Sequence, residues 1–167
     1  RATVPIDAIP TLLKECATPL DRMLVTLLAD TGLRRKEVAT IKPEDIDHES
    51  RTIIVWGKGS RQRRVTYGEI TAEHLQEYLS SIDVTEGMNI IPNVWAITNS
   101  LGRLEKATGI KCNAHTFRRT FATESVRNGM NLFHVQSLLG HSSLTMTRIY
   151  AEQVDSEDAV KAYKPIV

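Results

Sequence analysis

The sequence predicts a mainly helical α+β fold with one small antiparallel sheet. Apolar residues recur at helical spacing along most of the chain, and one stretch, 51–67, has the pattern of a β-hairpin. Of the 167 residues, 41% are hydrophobic and 25% are charged, which is typical of a globular domain long enough to bury a substantial core. We therefore expect one domain that folds on its own.

The N-terminal half is predicted to contain two helices and a hairpin. The first helix starts at Thr18 and Pro19, where threonine suits the N-cap and proline the first helical position, and it ends at Gly32. A short helix follows from 34 to about 40. The hairpin has strands at 53–56 and 63–67, with Lys58 at the tip of a glycine-flanked turn.

The C-terminal half is predicted to be helical. A helix runs from 71 onward, with a core face that includes Leu75 and Tyr78. The remaining predicted helices begin at small polar residues or end at glycine, as helices commonly do. They cover 93–109, 116 to about 128, 131–139, a segment from Ser142 or Ser143 through Tyr150, and 156–163.

Location and redox environment can also be inferred. No apolar run approaches the ~18–20 residues of a membrane-spanning helix, and the N-terminus lacks a signal-peptide pattern. Cys16 and Cys112 are too few for a disulfide framework or a zinc knuckle, so we expect both to fill the core in a reducing compartment. These features predict a cytoplasmic protein with no membrane partner.

Positive charge is concentrated in two blocks that the net charge of +1 conceals. Residues 51–64 and 106–148 each carry a net charge of +5, whereas the other segments are acidic. The chain has 13 arginines and 8 lysines, and the guanidinium group suits bidentate phosphate contact. Either block alone is equally typical of a solvated surface, but together they would form a polyanion-binding face.

Three polar stretches stand out as candidate sites: 31–37, 115–118, and 139–141 followed nine residues later by Tyr150. Each has an ordinary structural explanation when taken alone: a surface arginine after a helix cap, a helix-surface pair, a buried histidine, or a half-buried tyrosine. Together with Lys58 at the hairpin tip, they supply two arginines, two histidines, a lysine and a tyrosine, with no carboxylate cluster to hold Mg²⁺. Phosphoryl transfer needs its developing charge neutralised by metals or fixed cations, here Arg34 and Arg118. We therefore expect no cofactor and no metal.

The order and spacing of these motifs resemble the catalytic domain of the tyrosine recombinases, the phage integrase family, from about residue 5 to residue 155. The similarity is carried by Thr31-Gly32-Leu33-Arg34 with Glu37, Gly57-Lys58-Gly59, His115-x-x-Arg118 continuing into Thr120-Phe121-Ala122-Thr123, Leu139-Gly140-His141, and Tyr150. The resemblance implies the fold of that catalytic domain and site-specific DNA cleavage and rejoining.

The resemblance also implies a role for each matched residue. Tyr150 would attack a scissile DNA phosphate, giving a covalent 3′-phosphotyrosyl link and a free 5′-hydroxyl. Arg34 and Arg118 would bind the non-bridging oxygens, and Lys58 would be the general acid. His115 would assist proton transfer with the nucleophile. His141 would donate a hydrogen bond to the phosphate, and Glu37 would be a supporting carboxylate.

Two positions depart from the family pattern, since Lys36 stands where a serine is usual and Arg119 where a histidine is common. Neither position has an assigned chemical role, and both add positive charge near the phosphate. We expect them to contact the DNA backbone together with Arg35, Arg61 and Arg63.

The resemblance further suggests how the chain is organised and assembled. Residues 1–167 would be a catalytic domain, and we expect the family's N-terminal core-binding domain to be absent from this chain. We expect a nucleoid-associated protein that is a monomer in isolation and a homotetramer on double-stranded DNA. The tail at 152–167 would either pass to a neighbouring protomer or pack on its own domain.

Two other functions remain open at this point. A type IB topoisomerase uses similar chemistry to relax supercoils, and a DNA-binding module of the same fold would have no catalytic activity. The Leu139-Gly140-His141 motif favours the recombinase over the topoisomerase, and the complete set of matched residues argues against a non-catalytic module.

Overall fold

The structure is a computed structural model that describes residues 2–57, 59, 61–141 and 156–167. Over these residues the chain is mostly helical with one antiparallel three-stranded sheet, so the predicted fold class is confirmed. The elements in chain order are α1 Ile9–Glu15, α2 Pro19–Thr31, α3 Arg35–Ala39, β1 Ile46–Asp47, β2 Thr52–Trp56, β3 Gln62–Thr66, α4 Glu69–Ser80, α5 Val94–Thr108, α6 Ala114–Arg127, α7 Leu132–Leu139 and α8 Ser156–Ala162. No helix in this part of the chain is both long and apolar enough to cross a membrane.

Local capping fixes most helix ends where the sequence predicts them. The Thr18 side chain accepts a hydrogen bond from Asp21 N at the start of α2, and Asn93 does the same for Ala96 N at the start of α5. Gly32 and Gly109 end these helices in the left-handed conformation. The predicted bounds of α2 and α5 are therefore confirmed.

Several elements differ from the prediction; α4, for example, begins at Glu69 and not at residue 71. Helix α1 and the two-residue strand β1 were not predicted, because one is short and the other is too brief to alternate. Helix α6 begins at Ala114 and not at Thr116, since Asn113 is the N-cap and accepts from Thr116 N at 2.9 Å. His115 therefore lies within the first turn of α6.

The sheet turns alternate residues of β3 towards the interior. Strands β1, β2 and β3 are antiparallel neighbours in that order, and Val55 of β2 pairs with Arg63 of β3. Val65 is buried and Arg63 is half-buried, whereas Arg64 between them is exposed. Because side chains on a strand alternate between faces, Arg63 points inward with Val65.

The core centres on α2, whose apolar face is buried among the other helices and the sheet. A smaller cluster, formed by Ala122, Val135 and Leu139, joins α6 to α7. Cys112 is in the main core and Cys16 packs against it, as predicted, and burial raises the pKa of each thiol to about 11.

The tail helix α8 lies against α6 of its own chain. Arg127 Nε and Asp158 Oδ2 are 3.6 Å apart across this contact. Of the two arrangements considered for the tail, this structure therefore has α8 packed on its own domain.

Replacing Gly32 with alanine is predicted to destabilise the fold. Its φ of 63° is unfavourable for an L side chain, and a Cβ there would lie 2.8 Å from the Phe121 ring. We expect Gly32→Ala to lower the free energy of unfolding by at least about 1–2 kcal/mol from the backbone alone, as measured by urea denaturation.

Gly102 provides the matched control, because it lies inside α5 and a Cβ added there would have nothing within 4 Å of it. Gly102→Ala should stabilise the protein by up to about 1 kcal/mol, as expected for alanine in a helix interior. Equal effects of the two substitutions would contradict the account of Gly32.

Candidate active site

The guanidinium of Arg118 is fixed between the C-terminal ends of two helices. Its Nη1 donates to Gly32 O, at the end of α2, and its Nη2 donates to Leu139 O, at the end of α7, both at 2.8 Å. Helix C-termini carry partial negative charge and have carbonyls without partners inside the helix, so a buried cation is stabilised there. Arg118 is only 5% exposed, and these two bonds hold its side chain in place.

Glu37 is a buried carboxylate that joins α3 to the sheet. Its Oε1 accepts from Arg34 N at 2.9 Å and from Arg63 Nη2 at 3.0 Å, and its Oε2 accepts from Arg63 Nη1 at 2.5 Å. Burial by itself would raise the pKa of Glu37, but the hydrogen bonds from Arg63 and Arg34 N and the charges of both arginines outweigh it and lower that pKa. Glu37 is therefore ionised at neutral pH.

Arg63 belongs to this internal network. Besides Glu37, it contacts the end of α7, where its Nε donates to Leu138 O at 2.7 Å. A Cβ on Gly140 would lie 3.0 Å from Arg63 Nη1, so the glycine leaves room for the guanidinium. The side chain is 14% exposed. The sequence predicted a DNA contact for Arg63, and in this structure its guanidinium is hydrogen-bonded to Glu37 and Leu138.

A cleft of about 490 Å³ between α3, α5 and α6 collects several predicted site residues. Arg34 lies at its rim with 43% of its side chain exposed, and Nη1 of Arg34 is 3.8 Å from Glu37 Oε2. His115 is exposed in the first turn of α6, whose N–H groups favour an anion. The predicted residues that line the cleft are Arg34, Arg35, Lys36, His115 and Arg118.

His141 is buried directly after Gly140, which ends α7. Burial, followed by the charges of Arg118, Arg34 and Arg63, lowers the pKa of His141 to about 4. The imidazole is therefore neutral at pH 7. Arg118 donates to Leu139 O, two residues before His141, but His141 is not among the residues that line the cleft.

The other predicted residues lie in different surroundings. Arg119 Nε donates to Ala2 O at 2.7 Å, which ties α6 to the N-terminal segment. Arg61 is exposed in the loop between β2 and β3, and Arg35 Nη1 donates to Thr98 Oγ1 of α5 at 2.8 Å. Lys58 and Tyr150 lie outside the described residues. Within the described ranges, no group of three or more His, Cys, Asp or Glu side chains is arranged to hold a metal ion.

The buried state of His141 predicts a pH-dependent stability. Because its folded-state pKa of about 4 lies below the unfolded value of about 6.5, the unfolded chain binds a proton first as the pH falls. The contribution of neutral His141 to stability should therefore be complete above pH 6.5. As the pH falls from 6.5 to 4, the free energy of unfolding should decrease by up to about 1.4 kcal/mol per pH unit.

Urea denaturation of the wild type and His141→Gln at pH 7 and pH 5 checks this expectation. Because both proteins retain Glu37, the difference between the pH dependences of their unfolding free energies measures the contribution of His141. The imidazole proton resonances of His141 should titrate near pH 4, and a midpoint near 6.5 would contradict its burial beside the arginines.

Comparison with known proteins identifies the family. The model of the phage integrase family matches residues 4–157. The chain is 33% identical over 144 residues to tyrosine recombinase XerA of Saccharolobus solfataricus, covering 86% of this chain and 49% of that protein. It is 34% identical over 155 residues to XerC of Staphylococcus aureus, covering 86% and 52%. The chain thus spans about half the length of the curated relatives it matches.

Solved structures show the same fold. The crystal structure of XerA recombinase superposes with a TM-score of 0.79 at 27% identity, over 100% of this chain and 66% of that one. XerH bound to a palindromic difH substrate in a post-cleavage complex has a TM-score of 0.78 at 22% identity, over 96% and 52%. Since the family model covers nearly all of the chain, this protein belongs to the phage integrase family.

Proposed function

We propose that this chain is the catalytic domain of a site-specific DNA recombinase that cleaves and rejoins DNA through a 3′-phosphotyrosyl intermediate, without a metal. The observation that carries the proposal is the cleft in which Arg34, His115 and Arg118 lie together, with His141 under the influence of the arginine charges. Similarity to XerA and XerC, which are tyrosine recombinases, supports it.

In the proposed reaction, fixed cations bind the phosphate. Arg118 and Arg34 bind the non-bridging oxygens, and Glu37 orients Arg34 through its backbone N–H. Because two helix ends already hold Arg118, little reorganisation is needed when charge builds on these oxygens. Neutral His141 donates one more hydrogen bond to the phosphate.

Proton transfer balances the two bond changes. The phenolic oxygen of Tyr150 attacks phosphorus as the bond to the 5′-oxygen breaks, and His115 takes the phenolic proton. Lys58 gives a proton to the leaving 5′-oxygen. Since the phosphodiester energy is kept in the new tyrosyl ester, a 5′-hydroxyl can reverse the reaction and rejoin the DNA.

Double-stranded DNA is the proposed partner, and the chain would act on it at the nucleoid. XerH bound to difH and the Tn1549 transposon integrase in complex with circular intermediate DNA are neighbours in fold, which supports DNA as a ligand. Arg35, Lys36, Arg61 and Arg119 are proposed backbone contacts. Assembly as a homotetramer on DNA is part of the proposal, and it requires α8 to leave α6 if tails are exchanged.

The nucleophile is tested by covalent capture on DNA. We expect the 167-residue chain to form a detergent-stable adduct with members of a pool of nicked duplexes with randomised sequence. After cleavage, the short fragment between the cleavage site and the nick diffuses away with its 5′-hydroxyl, which prevents rejoining. Tyr150→Phe should abolish the adduct and leave duplex binding within about threefold, since only a hydroxyl is removed.

The same capture separates the alternatives. Failure of the wild type to form any adduct would favour a non-catalytic DNA-binding module, and an adduct with Tyr150→Phe would refute the assigned nucleophile. Efficient relaxation of a supercoiled plasmid that lacks the captured sequence would favour a type IB topoisomerase.

The general acid is tested with a better leaving group. Lys58→Ala should slow cleavage of the captured duplex, and a 5′-bridging sulfur, which needs little protonation, should restore most of the rate. Arg34→Ala is the matched control because it removes a phosphate ligand. Sulfur should not restore its rate, and equal rescue of both variants would contradict the role of Lys58.

A further inference from the structure

Arg63 is the point where three elements of the site meet. From β3, its guanidinium makes two hydrogen bonds to Glu37 of α3, and its Nε donates to Leu138 O of α7. The same guanidinium lies against Gly140, the residue before His141. One side chain therefore links the helix that starts after Arg34, the hairpin, and the end of α7.

The carboxylate of Glu37 is also where the hairpin approaches Arg34. A Cβ on Gly57, the residue before Lys58, would lie 3.9 Å from Glu37 Oε2. Nη1 of Arg34 is 3.8 Å from the same oxygen, whereas Arg63 Nη1 is at 2.5 Å. Arg63 is thus the closer counter-ion of Glu37, and Arg34 remains more than a hydrogen-bond length away.

The neighbouring arginine on the strand has different surroundings. Arg64 is exposed and pairs across the sheet with Ile54, while Arg63 is largely covered and bonded to a carboxylate. A guanidinium neutralised by a buried carboxylate offers a phosphate little net positive charge. Arg63 is therefore poorly suited to the DNA contact that its place in a basic block predicted.

We propose that Arg63 is a positioning residue that neutralises Glu37 and so keeps the Arg34 guanidinium directed to the phosphate. This inference rests on the proposed function, in which Arg34 binds the phosphate. Without Arg63, the buried Glu37 carboxylate lacks its main counter-ion and draws in the Arg34 guanidinium, because a buried charge without a partner is strongly unfavourable. The site then loses a phosphate ligand although Arg34 is still present.

This mechanism predicts that one substitution suppresses another. Arg63→Gln should weaken the binding of tungstate, a phosphate-like oxyanion, by about tenfold or more, as expected for loss of a charge-assisted contact. Adding Glu37→Gln should restore most of this affinity, because no carboxylate then competes for Arg34. Calorimetric titration of the 167-residue chain measures both effects.

Arg64→Gln is the matched control, since it removes the same charge from the next residue of the strand. We expect it to change tungstate affinity by less than about twofold, because an exposed charge is screened by solvent and salt. Equal losses from the Arg63 and Arg64 substitutions, or no recovery in the Glu37 and Arg63 double variant, would overturn the proposal. So would an absence of tungstate binding by the wild type.

The role of Arg63 can still be tested if Arg63→Gln fails to fold. If thermal melting shows that Arg63→Gln is unfolded, the double variant is compared with Glu37→Gln alone. Positioning predicts affinities within about threefold of each other, whereas a direct anion contact by Arg63 predicts a further loss of about tenfold. Tungstate binding does not require DNA cleavage. Failure of covalent capture would therefore count against the proposed function, whereas the tungstate affinities test the role of Arg63 on their own.

Discussion

A buried carboxylate has to be matched by donors, and Glu37 imposes that constraint on the whole site. Its donors come from two directions: Arg34 N at the start of α3, and the guanidinium of Arg63 on β3. Arg63 in turn holds the last turn of α7 through Leu138 O. The relative positions of α3, the hairpin and α7 therefore follow from satisfying one acidic group, and the wall of the cleft formed by Arg34 depends on it.

Arg118 satisfies a second constraint of the same kind. The ends of α2 and α7 present carbonyls without helical partners, and glycines at 32 and 140 turn the chain away so that one guanidinium reaches both ends. Phe121 fills the space where a side chain on Gly32 would lie, and Arg63 fills the corresponding space at Gly140. The glycines of both motifs thus have packing reasons that are independent of catalysis.

Sequence reasoning succeeded where the determining contacts are local. The caps at Thr18, Asn93, Gly32 and Gly109 fixed helix ends as predicted, whereas α4 starts at Glu69 because Asp30 accepts from Gly68 N, a contact between residues 38 positions apart. The cleft brings together Arg34, His115 and Arg118, which come from separate motifs of the sequence.

Long-range contacts account for what sequence reasoning missed. The charge pattern predicted a DNA contact for Arg63 and gave no sign of its partner Glu37, which lies 26 residues away. Alternation along β3 gave the one local signal, since Arg63 shares the inward face with Val65.

On the proposed mechanism, neutral His141 leaves Arg34 and Arg118 as the fixed cations that bind the non-bridging oxygens. A phosphodiester carries one negative charge, and more develops during attack, so two fixed cations match the transition state better than the ground state. A protonated His141 would strengthen ground-state binding as well, which lowers the barrier less.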